Sequence, residues 1–324
     1  MKTKPSNPPR RIRQIATTAT PPQIVKILAT TDFSDESGAG VRYAIDLAGK
    51  LGAAVNLLHV VEPPSRLSGM ESVLLARQDS EVVARARTQL AVVAKRESKG
   101  DVVVSSSLRI GKPFHEITIT ARERAADLIV TATHGHTGVK HVLLGSTAER
   151  VVRHAPCSVL TVPARATPKR TGKLPRFKLK KILVPIDFSE VSKDALPWAT
   201  FLAEQFGAEL ILLHVLEKFP NGYLLGRELM NETLTPYIKQ AEADLKHLAG
   251  SLGSSTATKS SFVRDGTPFE EICRTARKLG ADMIILTTHG YTGLKHVWLG
   301  STAERVVRHA QCPVLVVRKR KMEV

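Results

Sequence analysis

The chain repeats itself. Residues 133–157, THGHTGVKHVLLGSTAERVVRHAPC, recur at 288–312 as THGYTGLKHVWLGSTAERVVRHAQC, with four differences in twenty-five positions and an offset of 155 residues. The same offset carries Asp32 onto Asp187, His59 onto His214, Gly111 onto Gly266, Pro113 onto Pro268 and Asp127 onto Asp282, so the copies align end to end. A period of roughly 20–50 residues marks solenoid units that cannot enclose a core alone. A unit of about 150 residues can, burying roughly 70% of its surface on folding. The repeat therefore predicts two tandem domains, at 23–164 and 181–318, joined by a linker at 165–180 and flanked by tails at 1–22 and 319–324.

Within the first copy, apolar runs at 25–30, 54–60, 102–108, 128–132 and 158–162 alternate with amphipathic stretches near 38–51, 72–97, 113–124 and 147–154. Strands separated by helices of ten or more residues form right-handed β-α-β units and a parallel sheet. The expected class is α/β: two tandem doubly wound domains, each with a five-stranded parallel sheet flanked by helices. Ligands of such sheets bind beyond the carboxyl ends of the strands, where the winding reverses.

The net charge of +17 invites a nucleic-acid reading, but its location argues against one. Five basic residues in 1–13, eight in 165–181 and four in 318–321, less Glu323, account for sixteen of the seventeen charges. The folded units are nearly neutral. Basic tails of this kind hold polyanions only in a salt-dependent way. No run of eighteen apolar residues suggests a membrane span. Residues 1–22 contain no acid and lack an apolar core segment, so they read as a basic tail rather than a secretory signal. Three cysteines without C-x-x-C spacing imply neither a disulfide framework nor a zinc site, which suits a reducing cytoplasm.

Three segments fall at strand carboxyl ends and could carry chemistry. Thr31-Asp32-Phe33-Ser34 and Ile186-Asp187-Phe188-Ser189 follow the first strand of each copy. Ser34 and Ser189 are expected to cap the next helix; Asp32 and Asp187 could accept hydrogen bonds from a ribose or a base edge. His59 and His214 finish the second strand and read as satisfied core residues, with Val60 and Val215 offering backbone groups beside them. The third segment runs from Ala132-Thr133-His134-Gly135 through nine residues to Gly145-Ser146. Glycine permits close backbone approach, and a helix N-terminus offers unpaired N–H groups to an anion. The same residues also fit a capping box, Ser146-Thr147-Ala148-Glu149 and Ser301-Thr302-Ala303-Glu304. Both readings stand at this point. There is no P-loop and no G-x-S-x-G nucleophile elbow. His134, His136 and His141 do not make a metal site, because Tyr291 replaces His136 in the second copy.

Taken together, T-D-F-S after strand one, L-H-V ending strand two and G-x-x-G-x9-G-[ST] before the last helix resemble the universal stress protein family over both halves. The resemblance implies a cytoplasmic protein whose domains pair through their last strands as a pseudo-dimer, with further homodimerisation and a protein partner left open. With no evident general base beside the phosphate cradle and no kinase-like catalytic loop, it is expected to be no enzyme, or at most a slow hydrolase of ATP. In one branch of the family it implies ATP binding, with ADP or AMP as alternatives. Carried over by position, the nucleotide contacts fall on Asp32, Val60, Thr131, Ala132, Gly135, Gly145, Ser146 and Thr147, and on Asp187, Val215, Leu286, Thr287, Gly290, Gly300, Ser301 and Thr302. The family's first motif glycine is Ala132 in one copy and Thr287 in the other. Alanine adds a methyl group there and threonine adds branching, so the first site is expected to bind better than the second. The competing function is a scaffold of the same fold that binds no nucleotide.

Overall fold

The computed structural model describes residues 22–63, 72–98, 100–133, 145–163, 178–217, 227–252, 259–288 and 299–319. The first copy contains β1 (Lys26–Thr30), α1 (Asp35–Leu51), β2 (Ala54–Val61), α2 (Ser72–Glu97), β3 (Val104–Ile110), α3 (Pro113–Glu123), β4 (Leu128–Ala132), α4 (Ser146–His154) and β5 (Ser158–Val162). The second contains β6 (Lys181–Pro185), α5 (Glu190–Lys193), α6 (Ala195–Phe206), β7 (Glu209–Leu216), α7 (Arg227–Ser251), β8 (Lys259–Asp265), α8 (Pro268–Leu279), β9 (Met283–Thr287), α9 (Ser301–His309) and β10 (Val314–Val317). Most of the basic tails and linker expected from the sequence lie outside the described residues.

The strands form one ten-stranded sheet in the order β3-β2-β1-β4-β5-β10-β9-β6-β7-β8. Each half is parallel throughout, and the halves meet where β5 and β10 pair antiparallel. Alternate residues of β1 enter different cores: Ile27 and Ala29 face the cluster that includes α1 and α6, and Leu28 faces the one that includes α4 and α9. A strand buried on both faces reads as a continuous apolar run, which is why KILAT and LIVTA carry no polar alternation. Both clusters cross the junction between halves, so the chain has a shared core rather than two separate ones.

Two local differences have clear causes. The third strand lies two residues beyond the expected 102–108, because it pairs with β2 from Val55↔Val104 to Val61↔Ile110. The first helix is continuous in one half and broken into α5 and α6 in the other. Pro197 stands where the first copy has Arg42; it lacks the N–H that would reach the Lys193 carbonyl, and its ring clashes there.

Candidate functional site

The parallel sheet of each half puts the β1, β2 and β4 carboxyl ends, and their copies, at one crevice. Because β5 and β10 run antiparallel, the two crevices open at opposite ends of the joined sheet.

The turn after β1 is built around its aspartate. Asp32 Oδ1 accepts from the Ser34 backbone N–H at 3.0 Å and from Ser34 Oγ at 2.5 Å; Asp187 does the same with Ser189 at 3.0 and 2.6 Å. The bridged residue is forced into the left-handed region: Phe33 has φ 66° and Phe188 φ 61°. A bulky residue held there costs about 1–2 kcal/mol, which the aspartate bonds and ring contacts offset. Ser34 and Ser189 cap their helices as expected, accepting from the N–H of Ser37 and Ser192 at 3.1 and 3.0 Å. The turn also brings in Ser37, whose hydroxyl accepts from the Asp32 N–H at 3.3 Å.

His59 and His214 hold that turn from the next strand. Each Nδ1 lies 2.7 Å from a carbonyl, Thr31 O and Ile186 O, so Nδ1 carries the proton in the neutral ring. The rings pack against Phe33 and Phe188 at tilts of 32° and 39°, with centroids 4.2 and 4.6 Å apart. Burial holds both histidines below their ordinary pKa, with the carbonyl bond and the neighbouring aspartate opposing. His214 also lines the cleft of the second half with Val215, and Val60 occupies the same position of the first copy.

On the other side, Thr131 and Ala132 end β4, buried at 5% and 8%. The Thr131 hydroxyl is engaged by Thr30 Oγ1 at 3.0 Å, so this residue meets the crevice through its backbone. Gly145 and Gly300 are the N-caps of α4 and α9, and neither helix has a side-chain cap. This replaces the capping-box alternative: Ser146 and Ser301 lie one position too far into the helix to cap it, and both are exposed. The glycine amides are not offered to an anion either, since Gly145 N–H donates to Thr133 O at 2.8 Å and Gly300 N–H to Thr288 O at 2.6 Å. A phosphate would instead meet the amides of Ser146, Thr147 and Ala148, which have no intrahelical acceptor, the next N–H, of Glu149, being bonded to Gly145 O at 3.0 Å. Gly135 and Gly290, with the histidines at 134, 136 and 141, lie outside the described residues.

In the second half these parts enclose a cleft of about 430 Å³. Asp187, Val215, Leu286, Thr287, Gly300, Ser301 and Thr302 all line it, drawn from four separate stretches of chain. Thr287 forms part of the wall and leaves the cleft open. Pro185, Ile186, Leu213, His214 and Ala303 also line it, as do Ser192, Leu216, Glu217, Pro268, Ile272 and Thr288, which were not marked as contacts from sequence. Glu217 had a signal, because Glu62 occupies its place in the first copy. Clefts of about 300–1,000 Å³ with apolar walls and a few convergent polar groups suit small-molecule ligands.

Glu149 and Glu304, the expected ends of the capping boxes, point across the junction instead. Glu149 is 3.1 Å from Arg153 and 3.5 Å from Arg308; Glu304 is 3.1 Å from Arg308 and 3.6 Å from Arg153. Arg318, counted with the basic C-terminal run, also belongs to the folded body. Its guanidinium donates to the carbonyls of Val152, at 2.8 Å, and Arg153 at the end of α4. Among the described residues no three His, Cys, Asp or Glu side chains cluster as metal ligands, and no helix is long and apolar enough to cross a membrane.

Comparison with known proteins bears on both halves. The model of the universal stress protein family matches residues 24–163 and again 178–318. A universal stress protein of Methanocaldococcus jannaschii is 39% identical over 147 residues, 44% of this chain and 85% of its own length. One from Mycolicibacterium smegmatis is 27% identical over 299 residues, covering 91% of this chain and 97% of itself. The crystal structure of a universal stress protein from Archaeoglobus fulgidus superposes with a TM-score of 0.65 over 91% of this chain and 98% of its own, at 22% identity.

Proposed function

The chain belongs to the universal stress protein family, and from that premise we propose that it is a cytoplasmic stress-response protein that takes ATP into the crevice of each half and acts through ligand-dependent conformation or partner binding. One observation carries this reading: seven positions that the family pattern marks for nucleotide contact line a single cleft in the second half. Its apolar wall of Val215, Leu216, Ile272 and Leu286 suits a purine ring. Asp187 stands where a ribose hydroxyl would donate, and the first turn of α9 faces the place left for phosphates. Binding rather than turnover is the activity proposed for this cleft.

Thermal unfolding with and without ATP tests the reading. Ligand at a hundredfold over its dissociation constant stabilises by about 2.7 kcal/mol per site, a shift of roughly 4 °C per occupied site for a chain of 324 residues that unfolds as one unit. ADP and AMP titrations then rank the phosphate requirement. The alternative, a scaffold that binds no nucleotide, draws support from the internally bonded Gly145 and Gly300 amides and the continuous sheet. It predicts no shift at millimolar ATP and no nucleotide carried through purification.

A further inference from the structure

A helix that receives a phosphate at its N-terminus is ill served by a carboxylate in its first turn, because that charge competes with the ligand for the same dipole. Glu149 and Glu304 place such a carboxylate in α4 and α9. In the folded chain neither charge stands alone. Each is held by one arginine of its own helix and one of the other half, in a closed ring of Glu149, Arg153, Glu304 and Arg308 with separations of 3.1–3.6 Å. The antiparallel β5–β10 junction sets α4 and α9 running in opposite directions, so the last turn of each reaches the first turn of the other. The four side chains are 27–39% exposed, where charges are felt more strongly than at a fully solvated surface.

We propose that Arg308 is a positioning residue for phosphate in the first half, and Arg153 for phosphate in the second. By holding Glu149 toward the junction and neutralising it, Arg308 leaves the first turn of α4 open to an anion; Arg153 acts likewise on Glu304. Each cradle is complete only when the halves are paired, and one ring serving both sites couples their affinities reciprocally. This rests on the nucleotide reading above.

The test isolates the first site in a Ser301→Asp background, in which the second cradle carries its own carboxylate and binding falls from two equivalents to one. Titration calorimetry with ATP and with adenosine is then run on that reference, on added Arg308→Gln, and on added Glu149→Gln plus Arg308→Gln. Far-ultraviolet circular dichroism verifies that all three chains fold before titration. The expected result is about five- to tenfold weaker ATP binding in Arg308→Gln, unchanged adenosine binding, and recovery to within about twofold of the reference once Glu149 is also neutral. Equal ATP affinity in the reference and Arg308→Gln overturns the proposal while leaving the nucleotide reading intact. So does a loss that Glu149→Gln fails to rescue, or a parallel loss of adenosine. A wild-type chain that binds neither probe removes the nucleotide reading, and the role of the ring with it.

Discussion

Leu160 faces Leu315 across the junction between β5 and β10, and the two are the same position of the repeat, 155 residues apart. The pseudo-two-fold axis relating the halves therefore passes through this pair. On either side the pairs Val159↔Val316 and Thr161↔Val314 follow the same symmetry. Both leucines are 1% exposed and belong to one apolar cluster that extends into both halves.

Truncating either leucine should weaken the whole chain, not one half. Leu160→Ala or Leu315→Ala is expected to cost about 2–5 kcal/mol. The shared core should keep unfolding to one transition. Guanidinium curves followed by far-ultraviolet circular dichroism and by tryptophan fluorescence should shift together; separate midpoints for the two probes would show that the halves unfold independently.

Ser146→Asp and Ser301→Asp should move stability and binding in opposite directions. A carboxylate at the first position of a helix stabilises it by about 0.3–1 kcal/mol, yet it occupies the electrostatic place of a phosphate. The variants are expected to melt slightly higher than the parent and to give little thermal shift with ATP. A full ATP shift in the double variant would move the phosphate site away from α4 and α9.

Thr287→Gly should raise nucleotide affinity in the second half severalfold, and Ala132→Gly should raise it less in the first. Thr287 is part of the cleft wall and carries the branched side chain where backbone approach matters. Equilibrium dialysis resolving two classes of site in the parent and their convergence in Thr287→Gly is the expected outcome. Identical affinities in the parent would remove the asymmetry.

Stability should fall below neutral pH. Burial lowers the pKa of His59 and His214, and burial with nearby arginines lowers that of His154. A base with a lowered folded pKa binds fewer protons folded than unfolded, so stability rises with pH across that window. Acidification from the ordinary histidine value of 6.5 toward the lowered values should move the denaturant midpoint down. His59→Asn with His214→Asn should flatten that slope; an unchanged slope would assign it to other groups.

The cysteines should be unreactive in the native chain. Burial pushes Cys273 up to about 11, opposed by Arg277, and burial with the neighbouring Cys273 pushes Cys312 up to about 12. Cys157 is buried at 4%. Since the thiolate is the nucleophile, an aromatic disulfide reagent at pH 8 should release signal slowly until denaturant exposes all three thiols. Rapid labelling of folded protein would contradict this.

Much of the architecture was legible because it is written in short-range pattern. The apolar runs at 128–132 and 158–162 coincide with β4 and β5, and 72–97 with α2. The same holds for Ser34, whose cap depends on a residue three positions away. The turn around Phe33 was less legible. Its aspartate was marked as a ligand group, whereas the fold gives Oδ1 two bonds within the turn itself. Gly145 differed in the same way: placing the N-cap one residue earlier than Ser146 changes which amides remain for an anion, and sequence pattern does not fix a boundary to one residue.

By itself the sequence determined the two copies, their order of strands and helices, and the positions that would converge if the strands lay parallel. All of these follow from repetition, hydrophobic period and local hydrogen-bonding chemistry. Only the tertiary structure decided the antiparallel register in which the last strands β5 and β10 join, that Glu149 reaches Arg308 as well as Arg153 of its own helix, and that Arg318 closes α4. A carboxylate in the first turn satisfies local rules in either orientation. The contact of Glu149 with Arg153 is local, four residues on, whereas its contact with Arg308 depends on the other copy, brought near by burial of the junction rather than by anything adjacent in the chain.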